Sequence, residues 1–261
     1  MNYALTYDDI QLVPAFSNIK SRTNINLRTK LSRRYGLLNP IVASPMDTIC
    51  EYDMALKMAQ LGGVGCIHRF MSITHQCDIV EELFSTIYGQ GTHTPGIAEQ
   101  WGVMYDDWHT EIKAVPIMAA IGVQEEDKDR ALGLAESGAN VLVIDVAHGD
   151  HQNVIDMLEW CKSQQRLQNV DIIAGNIATQ SSAGTLIDAG ADGLRVGIGG
   201  GSLCTTRIKT GFGVPNVTSL EEISKVSGVP IMADGGIRSS GDMAKALAIG
   251  ADTIMLGSLL A

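Results

Sequence analysis

The chain has 261 residues, of which 45% are hydrophobic and 18% are charged, and its formal net charge is −10 at pH 7. A chain of this length and apolar content can bury one large core, either as a single α/β barrel or as two smaller domains. The acidic balance leaves no broad basic face for phosphate backbones or anionic lipid, which argues against nucleic acid and membrane surfaces as partners.

The ends of the chain and its cysteines indicate a cytoplasmic location. The first twenty residues carry acids where a secretory signal would need a basic and then an apolar segment, and no apolar run reaches spanning length. Five cysteines, at positions 50, 66, 77, 161 and 204, form no C-x-x-C pair. We therefore expect a cytoplasmic protein with free thiols.

Residues 1–38 mix scattered apolar residues with polar ones and predict an irregular leader packed against a domain. From Asn39 the pattern becomes regular and predicts eight short apolar strands, at 41–44, 63–67, 116–121, 141–145, 171–175, 193–197, 230–234 and 253–256. Amphipathic stretches lie between most of them, for example at 124–137, 152–165 and 240–248. Residues 85–113 break this periodicity with Gly, Pro and Thr, which indicates a surface excursion between the second and third units.

A weak internal repeat supports a barrel. It reads E-S-G-A-N-V-L-V-I-D from Glu136, D-A-G-A-D-G-L-R-V-G from Asp188 and A-I-G-A-D-T-I-M-L-G from Ala248. In each copy a helix ends on a glycine suited to the left-handed cap conformation, and a buried strand follows directly. Wholly apolar strands separated by helices predict a parallel sheet covered on its outer face, and eight such units favour a closed (β/α)₈ TIM barrel formed by residues 1–261 as a single domain.

The carboxyl ends of the predicted strands carry polar and glycine-rich residues, and in such a barrel the ligand lies at those ends. The residues just past the strands are Ser44 to Asp47, His68 and Arg69, Asp145, Gly175 and Asn176, the loop from Gly197 to Cys204, Asp234 to Gly236, and Gly257 and Ser258. Backbone amides of the glycine-rich turns after the last three strands can surround a phosphate. An aspartate after the seventh strand can accept both ribose hydroxyls, so this pattern predicts a mononucleotide site with the base near Cys204.

Cys204 lies inside the glycine-rich loop 197–213. A thiol there suits addition to an electron-poor ring carbon, because a thiolate is strongly nucleophilic and a nearby positive dipole lowers its pKa. The alternative is an inert, half-buried thiol in a flexible loop. The four other cysteines lie in apolar or helical settings that are typical of packing residues.

Three further groups have two interpretations each. His148, Asp150 and His151 resemble metal ligands, but no further residue completes an obvious set, which favours a loop that closes over a ligand. Asp145 either reaches a second ligand or caps the following turn. Arg69 pairs either with a phosphate or with the acids at 81 and 82.

These motifs resemble the IMP dehydrogenase and GMP reductase barrels over nearly the whole chain. The matching segments are L-T-Y-D-D-I-Q-L-V-P (5–14), S-P-M-D-T (44–48), H-R-F-M-S (68–72), I-D-V-A-H-G (144–149), A-G-N (174–176), G-I-G-G-G-S-L-C-T-T-R (197–207), A-D-G-G-I-R-S-S-G-D (233–242) and M-L-G-S-L-L-A (255–261).

The resemblance implies a role for each matching residue. The residues implied to hold the phosphate and ribose of the nucleotide are Ser202, Asp234, Gly235, Gly236, Gly257 and Ser258, with Ser44 and Met46 near the base. Those implied on the cofactor side are Asp145 and Asn176, together with Arg69. Gly199, Gly201 and the carbonyl of Cys204 match the monovalent-cation loop of the dehydrogenases, which implies potassium. The resemblance also suggests a homotetramer.

Both activities implied by the resemblance begin with attack of Cys204 on purine C2. In the dehydrogenase, hydride leaves IMP for NAD and water releases XMP. In the reductase, ammonia leaves GMP, NADPH returns a hydride and IMP is released. Thr206 would position or protonate the group that departs or attacks.

The choice between the two activities follows from similarity. Most of the dehydrogenases insert a pair of CBS modules between the second and third units, and residues 85–113 are too short for them. This favours GMP reductase with NADPH, as does the likeness of D-D-I-Q-L-V-P, H-R-F, I-D-V-A-H-G and R-I-K-T-G-F-G to bacterial GMP reductases. S-P-M-D-T looks more like IMP dehydrogenase with NAD, which is the alternative.

A second alternative arises at Ala261, where the sequence ends directly after the eighth strand. The final helix, and the segment that carries the acid partner of Thr206 or the dehydrogenase flap, are expected to be absent. We therefore also consider a longer natural chain, a partner-completed module and an inactive purine-nucleotide-binding module.

Overall fold

The computed structural model describes residues 3–89, 97–102, 114–201 and 204–261. Its centre is a closed, all-parallel barrel with the strand order β10-β3-β4-β5-β6-β7-β8-β9. The barrel strands are β3 (Ile41–Ala43), β4 (Val64–Ile67), β5 (Met118–Ile121), β6 (Val141–Asp145), β7 (Asp171–Ile177), β8 (Gly193–Val196), β9 (Ile231–Asp234) and β10 (Thr253–Leu256). The predicted (β/α)₈ barrel and its eight strands are confirmed.

Helices cover the outer face of the barrel, as the apolar strands require. They are α1 (Tyr52–Gln60), α2 (Ile73–Tyr88), α3 (Ile97–Gly102), α4 (Glu126–Glu136), α5 (Gln152–Ser163), α6 (Gln180–Asp188), α8 (Asn216–Ser224) and α9 (Ser240–Ile249). The short helix α7 (Thr206–Thr210) belongs instead to the loop after β8, and its residues are exposed or half-buried. Ser72, Thr179 and Ser239 begin three of them as side-chain N-caps. No helix in the described part of the chain is long and apolar enough to cross a membrane.

The internal repeat has a structural reason. Its glycines Gly138, Gly190 and Gly250 all adopt positive φ, which confirms the predicted cap conformation. Two residues after each glycine, an Asn or Asp side chain accepts a backbone N–H from the neighbouring strand that comes earlier in the chain. The donor lies at the start of that strand or, for Ile117, directly before it. These bonds join Asn140 to Ile117 at 2.9 Å, Asp192 to Ile172 at 2.8 Å and Asp252 to Ile231 at 2.8 Å. The repeat therefore ties neighbouring strands together at the amino-terminal end of the barrel.

The leader is more ordered at its end than the sequence predicts. Strands β1 (Thr29–Lys30) and β2 (Gly36–Leu37) pair antiparallel, and Leu31 and Leu37 are buried. The buried carboxylate of Asp171, at the start of β7, accepts hydrogen bonds from the Ser32 hydroxyl at 2.6 Å and from Arg34 Nε at 2.6 Å. This hairpin closes the amino-terminal end of the barrel, which leaves the carboxyl-terminal mouth for ligands.

The described parts of the segment 85–113 are largely helical, which the sequence did not predict. Helix α2 continues to Tyr88, and α3 packs against the barrel helices through Trp101, whose indole N–H donates to the carbonyl of Ala59 at 3.0 Å. Residues 90–96 and 103–113 lie outside the described residues.

Candidate active site

A buried arginine lies at the centre of the carboxyl-terminal mouth. Arg195 extends from β8 between Asp145 at the end of β6 and Asp234 at the end of β9. Its Nη1 donates to Asp145 Oδ1 at 2.5 Å, while Nε and Nη2 lie 3.0 and 2.9 Å from Asp234 Oδ2. Burial by itself would lower the pKa of Arg195, but the carboxylates of Asp234 and Asp145 outweigh burial and raise it. The guanidinium is therefore permanently charged and holds both aspartates.

Asn176 belongs to the same network. Its Nδ2 donates to the carbonyl of Gly197 at 2.8 Å and to Asp234 Oδ2 at 2.7 Å. The resemblance implied a cofactor role for Asn176 and a nucleotide role for Asp234, and the structure joins the two side chains by this hydrogen bond. Gly175 precedes it because a Cβ there would overlap the backbone and side chain of Arg195.

Cys204 is half-buried at the same mouth, on the loop after β8. Its thiol lies 3.2 Å from the hydroxyl of Thr206, the first residue of α7, and its backbone N–H donates to Gly201 O at 3.1 Å. The two residues predicted to carry the chemistry are thus in direct contact. Ser202, predicted to hold phosphate, lies outside the described residues.

The cysteine loop packs directly on the turn after β9. A Cβ on Gly197, whose φ is 143°, would overlap the carbonyl oxygen of Asp234, and a Cβ on Gly235, whose φ is 88°, would lie 2.8 Å from the backbone nitrogen of Gly201. Glycine is required at both positions because the two backbones touch there. Gly236 also has positive φ, at 76°.

Asn216 lies between the cysteine loop and the turn after β9 and contacts both, a role that the sequence did not reveal. Its Nδ2 donates to the carbonyl oxygens of Asp234 at 3.0 Å and Gly235 at 2.5 Å. A Cβ on Gly200 would lie 2.7 Å from the same nitrogen, so the cysteine loop also rests on this amide. The sequence shows only that an Asn follows Pro215 at the start of a helical segment. Its importance becomes visible in the structure, where Asn216 is buried at a position that is usually exposed.

The turns after β3 and β10 meet at the mouth next to the turn after β9, because β10 lies between β9 and β3. A Cβ on Gly257 would lie 3.3 Å from Ser44 Oγ and 3.4 Å from Met46 Sδ. The hydroxyl of Ser44 is buried, and it has no hydrogen-bond partner within the described residues. Ser258 is exposed in the turn that follows. Because a buried hydroxyl normally has a partner, Ser44 is suited to contact a ligand.

Arg69, at the end of β4, lies on the Asp145 side of the mouth. Its Nη2 donates to the carbonyl of Asp145 at 3.3 Å, and the guanidinium lies 5.2 Å from the centre of the Phe70 ring. Its contacts within the described residues are with these groups and not with the acids at 81 and 82, so that interpretation is wrong. The Nε atom is buried without a partner among the described residues.

Two polar side chains of the loop after β6, Asp150 and His151, form hydrogen bonds with other residues of the protein. Asp150 Oδ2 accepts the Ser182 hydroxyl at 2.7 Å, and His151 Nδ1 accepts the Asn153 N–H at 3.1 Å as the N-cap of α5. Within the described ranges, no three His, Cys, Asp or Glu side chains are grouped to hold a metal ion.

The remaining cysteines are placed as predicted, in packing positions. Cys50, Cys66 and Cys161 are buried and Cys77 is half-buried. Burial raises the pKa of Cys50 and of Cys161 to about 12 and also raises that of Cys66 and Cys77. Cys204 is therefore the thiol with access to the mouth of the barrel.

A closed barrel with a loop thiol, a neighbouring hydroxyl and a charged network at its carboxyl-terminal mouth defines a TIM-barrel enzyme. The chain belongs to the IMP dehydrogenase / GMP reductase domain family, whose model matches residues 4–261. It is an oxidoreductase of that family, as the resemblance implied.

Relatives of both activities are similar to this chain. A GMP reductase of Leishmania major is 35% identical, with 98% of this chain and 74% of the relative covered. An inosine-5'-monophosphate dehydrogenase of Cryptosporidium parvum is 41% identical, with 98% and 68% covered. Among solved structures, a variant of GMP reductase from Trypanosoma brucei in complex with guanosine 5'-monophosphate matches with a TM-score of 0.87 and 31% identity, over 100% of this chain and 77% of that one.

The alignment lengths correct one argument from the sequence. The Leishmania GMP reductase aligns over 366 residues, about a hundred more than this chain contains, whereas the Cryptosporidium dehydrogenase aligns over 279. A reductase can therefore have long additional segments and a dehydrogenase can have short ones. The shortness of residues 85–113 does not separate the two activities.

Proposed function

We propose that this chain is a GMP reductase, which converts GMP and NADPH to IMP, ammonia and NADP. The contact between the Cys204 thiol and the Thr206 hydroxyl, on a loop that rests against the Asp234 turn, carries the covalent step that both candidate activities share. The observation that carries the choice of GMP reductase is the structural similarity to a GMP reductase, with a TM-score of 0.87 over 100% of this chain. The similarity to the Trypanosoma brucei GMP reductase in complex with GMP supports the purine nucleotide as substrate.

In this proposal the Cys204 thiolate attacks C2 of the guanine ring and forms a C–S bond. The C2–N bond then breaks, and the amino group leaves as ammonia after it takes up a proton. Thr206, 3.2 Å from the sulfur, is placed to hold the departing group and transfer that proton. NADPH, when bound, supplies the hydride that reduces C2. The C–S bond then breaks, which releases IMP and regenerates the thiolate.

The nucleotide would lie along the turns after β3, β8, β9 and β10. Asp234 has one carboxylate oxygen, Oδ1, without a hydrogen bond from the described residues, and it is suited to accept ribose hydroxyls. The other residues proposed to hold the phosphate and ribose are Ser202, Gly235, Gly236, Gly257 and Ser258, and Ser44 is proposed to lie near the base. Met46, which adjoins Gly257, would contact the base. The carbonyls of Gly199, Gly201 and Cys204 are the proposed potassium ligands.

The Asp145 side of the mouth fits a nicotinamide cofactor. Asp145 Oδ2 has no hydrogen bond from the described residues, and the buried Nε of Arg69 nearby lacks a partner there. A carboxylate suits the hydroxyls of a cofactor ribose, and an arginine suits its phosphate groups. The sequence assigns both residues, with Asn176, to the cofactor. We further propose a homotetramer in solution.

IMP dehydrogenase is the second candidate, with NAD as oxidant and water in place of ammonia. The observation that favours it is the 41% identity to the Cryptosporidium parvum dehydrogenase, higher than the 35% identity to the Leishmania major reductase. The same groups would serve, since Cys204 attacks C2 of IMP and Thr206 positions the water that releases XMP.

Reduced-cofactor absorbance decides between the candidates. With potassium present, GMP plus NADPH should consume reduced cofactor and release ammonia, whereas a dehydrogenase would instead form NADH from IMP plus NAD. Cys204→Ala should abolish either reaction, and Cys77→Ala, which alters a half-buried thiol on α2, should retain it. Calorimetric GMP binding with no turnover in either direction would instead identify a nucleotide-binding module.

A further inference from the structure

One guanidinium serves two carboxylates at the centre of the barrel mouth. Arg195 uses Nη1 for Asp145 Oδ1, and it uses Nε and Nη2 for Asp234 Oδ2. Asp145 Oδ2 and Asp234 Oδ1 have no hydrogen bond from the described residues. Each carboxylate is therefore held by one oxygen and has the other available for a ligand.

These two carboxylates belong to different halves of the site, an assignment that rests on the proposed function. Asp234 is on the nucleotide side with Asn176 and the cysteine loop, and Asp145 is on the cofactor side with Arg69. Among the described residues, Arg195 is the side chain that donates hydrogen bonds to both carboxylates. It is 8% exposed, so water competes weakly for its donors.

The planar fork of arginine makes this link directional. Because its donors are rigidly related, fixing Nε and Nη2 on Asp234 also fixes the direction of Nη1 toward Asp145. Nucleotide hydroxyls on Asp234 Oδ1 would hold that carboxylate in one orientation. The cofactor would then bind to an Asp145 carboxylate that is already ordered. Binding of the second ligand therefore costs less side-chain conformational entropy than binding of the first.

We propose that Arg195 is a positioning residue that couples the two halves of the site, so that the nucleotide and the cofactor each increase the affinity for the other. Thermodynamic linkage requires the same factor in both directions. The coupling is expected to be about fivefold or more, at the lower end of the usual range for linked sites.

Calorimetry with GMP and oxidised NADP tests this, because that pair has no hydride to transfer. Saturating GMP should lower the Kd for NADP, and saturating NADP should lower the Kd for GMP by the same factor. In Arg195→Lys, which retains the charge but not the fork, both Kd values rise and their coupling factor falls to about one. If Arg195 had a purely structural role, the variant would raise both Kd values and leave the coupling factor unchanged. That result would overturn the proposal.

A second variant is needed because Arg195→Lys can fail to fold when the two half-buried carboxylates of Asp145 and Asp234 are poorly paired. Asp145→Asn retains the shape of the side chain and removes the charge that Nη1 contacts, so its coupling factor should also fall. Asp156→Asn is the matched control: it makes the same chemical change on α5, where the carboxylate accepts a bond from Gln152, and should retain full coupling. Independent binding of GMP and NADP to the unaltered protein would overturn this inference alone, whereas no GMP binding would overturn the proposed function with it.

Discussion

The sulfur of Cys204, on the loop after β8, lies 3.2 Å from the hydroxyl oxygen of Thr206, the first residue of α7. Cys204 is half-buried, and its backbone N–H donates to the carbonyl oxygen of Gly201. The proposed nucleophile and the proposed proton carrier therefore share one short segment, and we expect a change in either to act on the same step.

The role of Thr206 is separable from its packing. Thr206→Val retains the shape but removes the hydroxyl, so kcat should fall by about 10²-fold, at the low end of the range for general acid–base catalysis. Thr206→Ser restores the hydroxyl and should recover most of the rate. Steady-state kinetics with GMP and NADPH check this, and equal activity of the Val and Ser variants would remove Thr206 from the mechanism.

The cysteine loop depends on a glycine at position 197. Gly197→Ala places a Cβ on the carbonyl oxygen of Asp234 at a φ of 143°, so the loop must move and turnover should fall at least tenfold. Gly184→Ala in α6 is the control, since a Cβ there meets nothing within 4 Å. It should leave kcat unchanged and raise the free energy of unfolding by about 0.5–1 kcal/mol, measured by urea denaturation.

Asn216 should control nucleotide affinity more than the chemical step. Asn216→Ala leaves the carbonyls of Asp234 and Gly235 without their donor, which should cost about 1–3 kcal/mol of stability. Because the freed turn holds the proposed ribose and phosphate contacts, KM for GMP should rise while KM for NADPH changes little. Asn153→Ala on the exposed side of α5 is the control and should alter neither constant.

The sequence predicts what is periodic and local. The eight strands follow from short apolar runs, and the three repeat glycines follow from their cap positions. It does not show the hairpin at 29–37, because that hairpin is stabilised by Asp171, more than a hundred residues away. It also does not show that Arg195 joins Asp145 to Asp234: within the repeat, Arg195 is one residue of an apolar strand, and its partners come from two other strands.

Asp252 tests the repeat and gives a pH dependence. Burial raises its pKa, partly offset by the Ile231 N–H that donates to it. The folded state therefore binds its proton more tightly than the unfolded chain does, and this carboxyl loses stability as pH rises from below its unfolded pKa through its higher folded pKa. Asp252→Asn retains an acceptor for Ile231 without the charge. Relative to the unaltered protein, its free energy of unfolding should therefore increase as the pH rises above about 4, the unfolded pKa of an aspartate.

Asp252→Ala separates the hydrogen bond from the charge. It removes the acceptor and leaves the Ile231 N–H unpaired at the start of β9, which should cost about 1–3 kcal/mol. Urea denaturation at several pH values measures all three proteins. If the Asn and Ala variants are equally destabilised at neutral pH, then the bond to Ile231 does not hold these strands together. Asn140, Asp192 and Asp252 each lie two residues after the repeat glycine, and each side chain accepts a backbone N–H. If the bond proved unimportant, the Asn or Asp at this position would reflect only the tight turn that follows the glycine.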